Sequence, residues 1–158
     1  NNAAGAFPRL IDLGMNPKIL TSAIHVAMAQ RLVRKLCPVC RKEVPIPEER
    51  KALVAEVLAS IRPDEFSSIP SHVYIAPGCA ACNKTGFQGR IGIYEAILSD
   101  SAIEQIVESN PSEREIKEAA RPQGIYDMKQ DGVIKVLKGV TSFDELERVV
   151  DLILENHT

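Results

Sequence analysis

Two cysteine pairs, Cys37-Pro38-Val39-Cys40 and Cys79-Ala80-Ala81-Cys82, constrain this 158-residue chain more than any other feature. A C-x2-C spacing lets a tight turn direct two thiolates at one face of a tetrahedral Zn(II), and two such knuckles complete a four-sulfur shell. The alternatives are two disulfides or four buried thiols. A disulfide inside a C-x2-C pair is usually a redox device, and a cytosolic chain seldom carries structural disulfides. The interval between the pairs, residues 41–78, is longer than the usual zinc-ribbon interval. His72 lies seven residues before Cys79, and no further ligand candidate is near, so Cys37, Cys40, Cys79 and Cys82 are expected to form a closed structural zinc site with no open position for catalytic water. Four thiolates around a dication leave a negative centre. Lys35, Arg41, Lys42, Lys84 and Arg90 flank the knuckles and are candidates to donate to the sulfurs.

Composition narrows the fold. Apolar residues make up 45%, aromatics only 4%, and tryptophan is absent, so the core is built from Leu, Ile, Val and Ala. The expectation is a mainly α chain with a small β-ribbon, an α+β class in which a helical domain carries a tetracysteine lobe. The formal net charge of -2 and the lack of basic-aromatic interleaving argue against nucleic acid as a partner. No apolar run approaches 18 residues and no signal-peptide pattern opens the chain, which predicts a cytoplasmic location. The start at Asn1-Asn2-Ala3, without Met, predicts a piece of a longer protein.

Along the chain, residues 3–13 read as a short helix ending at Gly14, and Asn16-Pro17 as a fresh N-cap and first helical position. Leu20, Ile24, Met28, Leu32 and Leu36 recur every four residues, predicting one long helix up to Cys37, with Arg31, Arg34 and Lys35 together on another face. A helix is expected over 48–61 through Leu53, Val54, Val57, Leu58 and Ile61, then a loop over 62–71. The extended Val73-Tyr74-Ile75 is expected to pair with a strand over 91–97. Ser-x-x-Glu boxes at Ser101/Glu104, Ser112/Glu115 and Ser142/Glu145 predict three helix starts, with a further helix over 126–138 ending at Gly139. Gly132 reads as a close-packing point, and Thr85 to Arg90 as a tight turn beside the metal. The division drawn from these elements is 1–36, a helical lead-in; 37–98, the zinc lobe; and 99–158, a helical tail.

No P-loop, G-x-G-x-x-G, H-E-x-x-H or G-x-S-x-G motif is present in the sequence, so by itself the chain is expected to be catalytically silent. His25, His72 and His157 are scattered and read as ordinary surface or packing residues. Beside the zinc site, two other function classes fit paired knuckles: a zinc-ribbon nucleic-acid or protein interaction module, and a dithiol redox protein.

Several segments resemble a known family. Asn1 to Ala6 with Arg9-Leu10-Ile11-Asp12-Leu13-Gly14, then Ala29-Gln30-Arg31-Leu32-Val33-Arg34-Lys35-Leu36-Cys37, then Gly78-Cys79 to Cys82 running on through Gly86-Phe87-Gln88-Gly89-Arg90-Ile91-Gly92-Ile93-Tyr94-Glu95, are similar to the C-terminal part of the type II secretion and type IV pilus assembly ATPases. Met128 to Gly132, Gly139-Val140-Thr141 and Glu145-Leu146 match as well. The resemblance implies a RecA-like parent that binds ATP and Mg2+ and works as a homohexameric ring. It implies partners in neighbouring subunits and in the cytoplasmic parts of inner-membrane secretion or pilus proteins, and a location peripheral to the inner membrane. In that setting Arg31, inside the Ala-Gln-Arg-Leu run, is the candidate for contact with nucleotide or a neighbouring subunit, because guanidinium donors grip phosphate bidentately. The competing account of Arg31, Arg34 and Lys35 is simple complementation of a helix C-terminus.

Overall fold

The computed structural model describes residues 2–68 and 70–152, so His157 lies outside the described residues. The chain forms two compact units interleaved in sequence: unit 1 comprises residues 1–30 and 94–127, and unit 2 comprises 31–93 and 128–158.

Unit 1 begins with α1 (Ala6–Asp12), which stops just before Gly14, and α2 (Pro17–Ala23). The Asn16 side chain accepts the Lys18 N–H at 2.9 Å and Pro17 occupies the first turn, as the Asn-Pro signal requires. The predicted long helix is not formed. Ile24 turns extended, with φ -100° and ψ 116°, and the chain continues as β1 (Val26–Leu36). The four-residue stripe was compatible with a helix, but its members Met28 and Leu32 are 64% and 51% exposed, while Ala27, Val33 and Leu36 are buried. The reason is non-local. β1 pairs with β4 (Phe87–Leu98), and backbone pairing with a segment some sixty residues away overrides local periodicity.

α4 (Ser101–Val107) and α5 (Glu113–Ala120) complete unit 1. The Ser112/Glu115 capping box is formed in both directions. The Ser101/Glu104 box is not: Asp100 is the N-cap, its Oδ1 accepting from the N–H groups of Ala102 (3.1 Å) and Ile103 (3.0 Å), and a carboxylate at the positive helix end displaces the weaker hydroxyl cap. The core of this unit is Phe7, Leu20, Ala27, Ile97, Ile103, Val107 and Ile116 with Ala3 and Ala4. Burying each large aliphatic or aromatic side chain contributes about 1.5–3 kcal/mol.

In unit 2 the stretch between the knuckles folds as β2 (Lys42–Pro45), α3 (Glu48–Ser60) and β3 (His72–Ile75). β3 pairs antiparallel with β2, with Lys42 opposite Ile75 and Val44 opposite Val73, and not with the 91–97 segment expected from the sequence. Pairing two strands that lie directly beside their own knuckles closes a short local ribbon, which leaves β4 for β1. α3 buries Leu53, Val54 and Val57, as its periodicity predicted. α6 (Met128–Leu137) and α7 (Phe143–Glu147) finish the unit. Gly132 faces Leu146: a Cβ placed there would stand 2.4 Å from Leu146 Cδ1. Gly132→Ala is therefore expected to destabilise the protein by about 1–3 kcal/mol through overpacking, read as a lower midpoint in chemical denaturation, although alanine is the better helix former.

Candidate metal centre

The four cysteines converge. Cys37 and Cys40 follow the end of β1, where the Cys37 N–H donates to Gly86 O (2.9 Å) and the Arg41 N–H returns to Cys37 O (3.0 Å). The second knuckle is a single 3-10 turn, Ala80–Cys82, with Cys79 extended ahead of it. Backbone N–H groups point at its sulfur: Cys79 N lies 3.1 Å and Gly86 N 3.3 Å from Cys82 Sγ. Two glycines permit this fold-back. A Cβ on Gly78 (φ +96°) would sit 2.4 Å from Lys84 O, and one on Gly86 (φ +78°) would sit 2.3 Å from Ala76 O.

All four Sγ atoms lie within 4.8 Å of one another. The separations are 3.7 Å for Cys79–Cys82, 3.9 Å for Cys37–Cys79 and 4.0 Å for Cys40–Cys82. A tetrahedron with metal–sulfur bonds of about 2.3 Å has edges near ~3.8 Å, so the sulfurs stand where one tetrahedral ion would hold them. They are free thiols with no disulfide between them. Without a cation their environments differ: the Cys79 N–H, chiefly, draws the Cys82 thiol down to about 6, while burial pushes Cys40 up to about 12. Such a set can hold a metal ion.

The flanking cations do not donate to the sulfurs. Among the described residues the non-thiol donors to sulfur are backbone N–H groups, and Arg41 instead donates from Nη1 to Gly139 O (2.9 Å) while lying over the Tyr74 ring, 5.2 Å from its centroid. Arg41 thus ties the first knuckle to the end of α6.

The Arg31, Arg34 and Lys35 group is split by the strand. Alternation places Arg31 and Lys35 on one face of β1 and Arg34 on the other. Arg31 is exposed. Arg34 is committed inside unit 2: its Nε and Nη2 donate to Glu145 Oε2 at 2.9 and 2.6 Å, and its own N–H donates to Glu145 Oε1 at 3.0 Å. Arg148 Nη1 adds a fourth bond to the carboxylate, the third at Oε2 (3.1 Å), and Thr141 Oγ1 donates to Arg34 O (2.9 Å). Burial opposes ionisation of Glu145, but these guanidinium and amide donors outweigh it and hold the carboxyl below its ordinary range. The predicted Ser142/Glu145 box is therefore half made. The Ser142 hydroxyl accepts the Glu145 N–H (3.3 Å), whereas the carboxylate goes to Arg34. Sequence reasoning missed this pair; a glutamate set between Phe143 and Leu146 on a buried helix was its only local sign. Of the histidines, His25 and His72 are both exposed, and His72 Nδ1 is 2.8 Å from Ser71 Oγ.

Fold and site together define an α+β protein with a metal-competent four-cysteine cluster, whose knuckles close a β-α-β excursion. The chain belongs to the Type II/IV secretion system protein family, whose profile matches residues 1–148. It is 39% identical over 149 residues to the type II secretion system protein E of Aeromonas hydrophila, an alignment taking in 94% of this chain and 28% of that protein. It is 36% identical over 152 residues to the type IV pilus assembly ATPase TfpB of Acinetobacter baylyi, covering 96% of this chain and 25% of that one. It is also 35% identical over 149 residues to the type IV pilus assembly ATPase PilB of Pseudomonas aeruginosa, covering 94% and 25%. The chain thus spans about a quarter of the length of the curated relatives it matches.

The depressed Glu145 pKa fixes the sign of a pH effect. Its contribution to stability is complete above the unfolded carboxyl value of about 4.3 and is lost as pH falls through the lower folded value. Glu145→Gln is expected to cost about 1–3 kcal/mol at pH 7, less than a fully buried pair because the Arg34 side chain is 39% exposed, and to flatten the acid limb of the stability–pH curve below about 4.3. Denaturant titrations of both proteins from neutral to acid pH check this.

Proposed function

We propose that this chain is the zinc-bearing C-terminal part of a hexameric motor ATPase that powers type II secretion or type IV pilus assembly, and that its zinc is structural. The observation that carries the reading is a four-sulfur tetrahedron inside a chain matched to this family over residues 1–148. An all-thiolate tetrahedral set suits Zn(II), and with every position taken by sulfur the ion has no vacancy for water, so its role is to hold the fold.

ATP and Mg2+ are bound by other parts of the parent, consistent with the naming of relatives as pilus assembly ATPases. No helix among the described residues is long and apolar enough to cross a membrane. In this reading the motor works at the cytoplasmic face of the inner membrane through partner proteins. Arg31, exposed on β1, is the residue of this chain assigned to nucleotide or to a neighbouring subunit of the ring. The metal lobe supports that task indirectly. Arg41 pins Gly139, Leu36 N–H donates to Val140 O (2.9 Å), and Thr141 and Glu145 grip Arg34, so the knuckle and the end of the Arg31 strand are braced by one segment.

Elemental analysis of the purified chain is expected to give one zinc per chain, and chelation is expected to abolish cooperative unfolding, because metal binding and folding are coupled in such sites. A chain with no bound metal and unchanged stability, or one carrying iron, overturns the zinc assignment. In the full-length parent, Arg31→Ala is expected to lower ATP turnover at least about tenfold with zinc content unchanged. An unaltered rate removes Arg31 from the site.

A further inference from the structure

Unit 2 holds a second feature that the metal reading leaves unused. A cavity of about 200 Å³ is lined by Arg34, Thr85, Phe87, Gly89 and Arg90, with Arg34 contributed by β1 and Arg90 by β4. Arg34 is preorganised there: Glu145 grips it through Nε and Nη2, and its guanidinium lies over the Phe87 ring, 4.2 Å from the centroid. The Glu145 carboxylate is itself saturated by three guanidinium bonds and one backbone N–H. It has little capacity left to neutralise a further cation. Arg90 is exposed and has no hydrogen-bond or ion-pair partner for its side chain among the described residues. Thr85 spends its hydroxyl hydrogen on Cys82 O at 2.6 Å, so the side-chain donors among the lining residues are the two guanidiniums. At Gly89 a Cβ would meet Lys35 Cδ at 4.0 Å, which sets a third cation beside the lining.

We propose that this cavity binds a phosphoryl oxyanion. Arg34 and Arg90 line the cavity, and Arg148, outside its lining, shares the Glu145 carboxylate with Arg34; three guanidiniums against this one carboxylate leave two positive charges in a chain whose overall charge is negative. That surplus complements a group carrying about -1.5 to -2 charge better than it complements one carboxylate. Planar guanidiniums also grip phosphate oxygens bidentately, and holding Arg34 in advance by Glu145 and Phe87 removes part of the ordering cost of binding. The ligand is either free phosphate or the terminal phosphate of a nucleotide, both of which present this group. The inference rests on unit 2 alone and stands apart from the motor reading.

The test is a titration of the metal-loaded 158-residue chain with inorganic phosphate at constant ionic strength, followed by 31P NMR, with ADP and acetate as separate arms. Saturable phosphate binding is expected, weakened at least about tenfold in Arg90→Ala and abolished in Arg90→Glu, with the melting temperature of both variants unchanged. Arg90→Gln, which keeps a polar side chain but loses its charge and its guanidinium, should behave as Arg90→Ala does. Tighter, Arg90-dependent binding of ADP identifies a nucleotide as the source, and binding of phosphate without ADP identifies the free ion; either supports the site. Acetate binding as tightly as phosphate, binding that does not saturate, or binding indifferent to Arg90 overturns it.

Discussion

The convergence of two C-x2-C knuckles on one point is the constraint around which unit 2 is arranged. Once Cys37 and Cys40 stand within 4.8 Å of Cys79 and Cys82, the intervening chain must leave and return to the same place. It does so by the simplest route, a strand out, a helix and a strand back, with β2 and β3 hydrogen-bonded in register from Lys42 and Ile75 onward. Closing a loop of this length costs conformational entropy that a short ribbon and one small helix cannot easily offset by themselves. A metal ion held by the four cysteines would supply the strongest local compensation the sequence offers.

From that point polar contacts carry the order to the end of β1, beside an apolar core that includes Val57, Val133, Val136 and Leu146. Arg41 carries it from the first knuckle to Gly139, and the following segment then presents Val140 O, Thr141 Oγ1 and Glu145 to successive residues of β1. Thr141, Ser142 and Glu145 are the buried polar side chains of the described residues, and all three belong to this segment. Buried polar groups are tolerated only when satisfied, and here each has a partner. The strand end bearing Arg34 is thereby fixed by bonds with directional geometry, which suits a segment that must hold charged groups in place.

Unit 1 has a core of its own. Its core is aliphatic with one phenylalanine, drawn from both termini of its two sequence segments, and its helices begin with conventional caps at Asn16, Asp100 and Ser112. Units built from separated stretches of chain have few local signals to announce them. A reader of the sequence sees consecutive elements and divides the chain consecutively, while the packing joins residues 1–30 to 94–127.

What the sequence determined by itself was local or spacing-encoded: the four-cysteine cluster, the helix over Glu48–Ser60, the Asn16-Pro17 start, the Ser112/Glu115 box, and the close packing at Gly132. Each depends on residues within a few positions of one another, or on a side-chain volume that allows no alternative. The tertiary structure decided the rest. The four-residue period through residues 26–36 points locally to a helix, and β4, a distant segment, settled the matter in favour of a strand by supplying backbone partners. The same pairing separated Arg34 from Arg31 and Lys35, turned it toward Glu145, and set it beside Arg90, because which charges meet is fixed by strand alternation and by contacts across more than a hundred residues of chain.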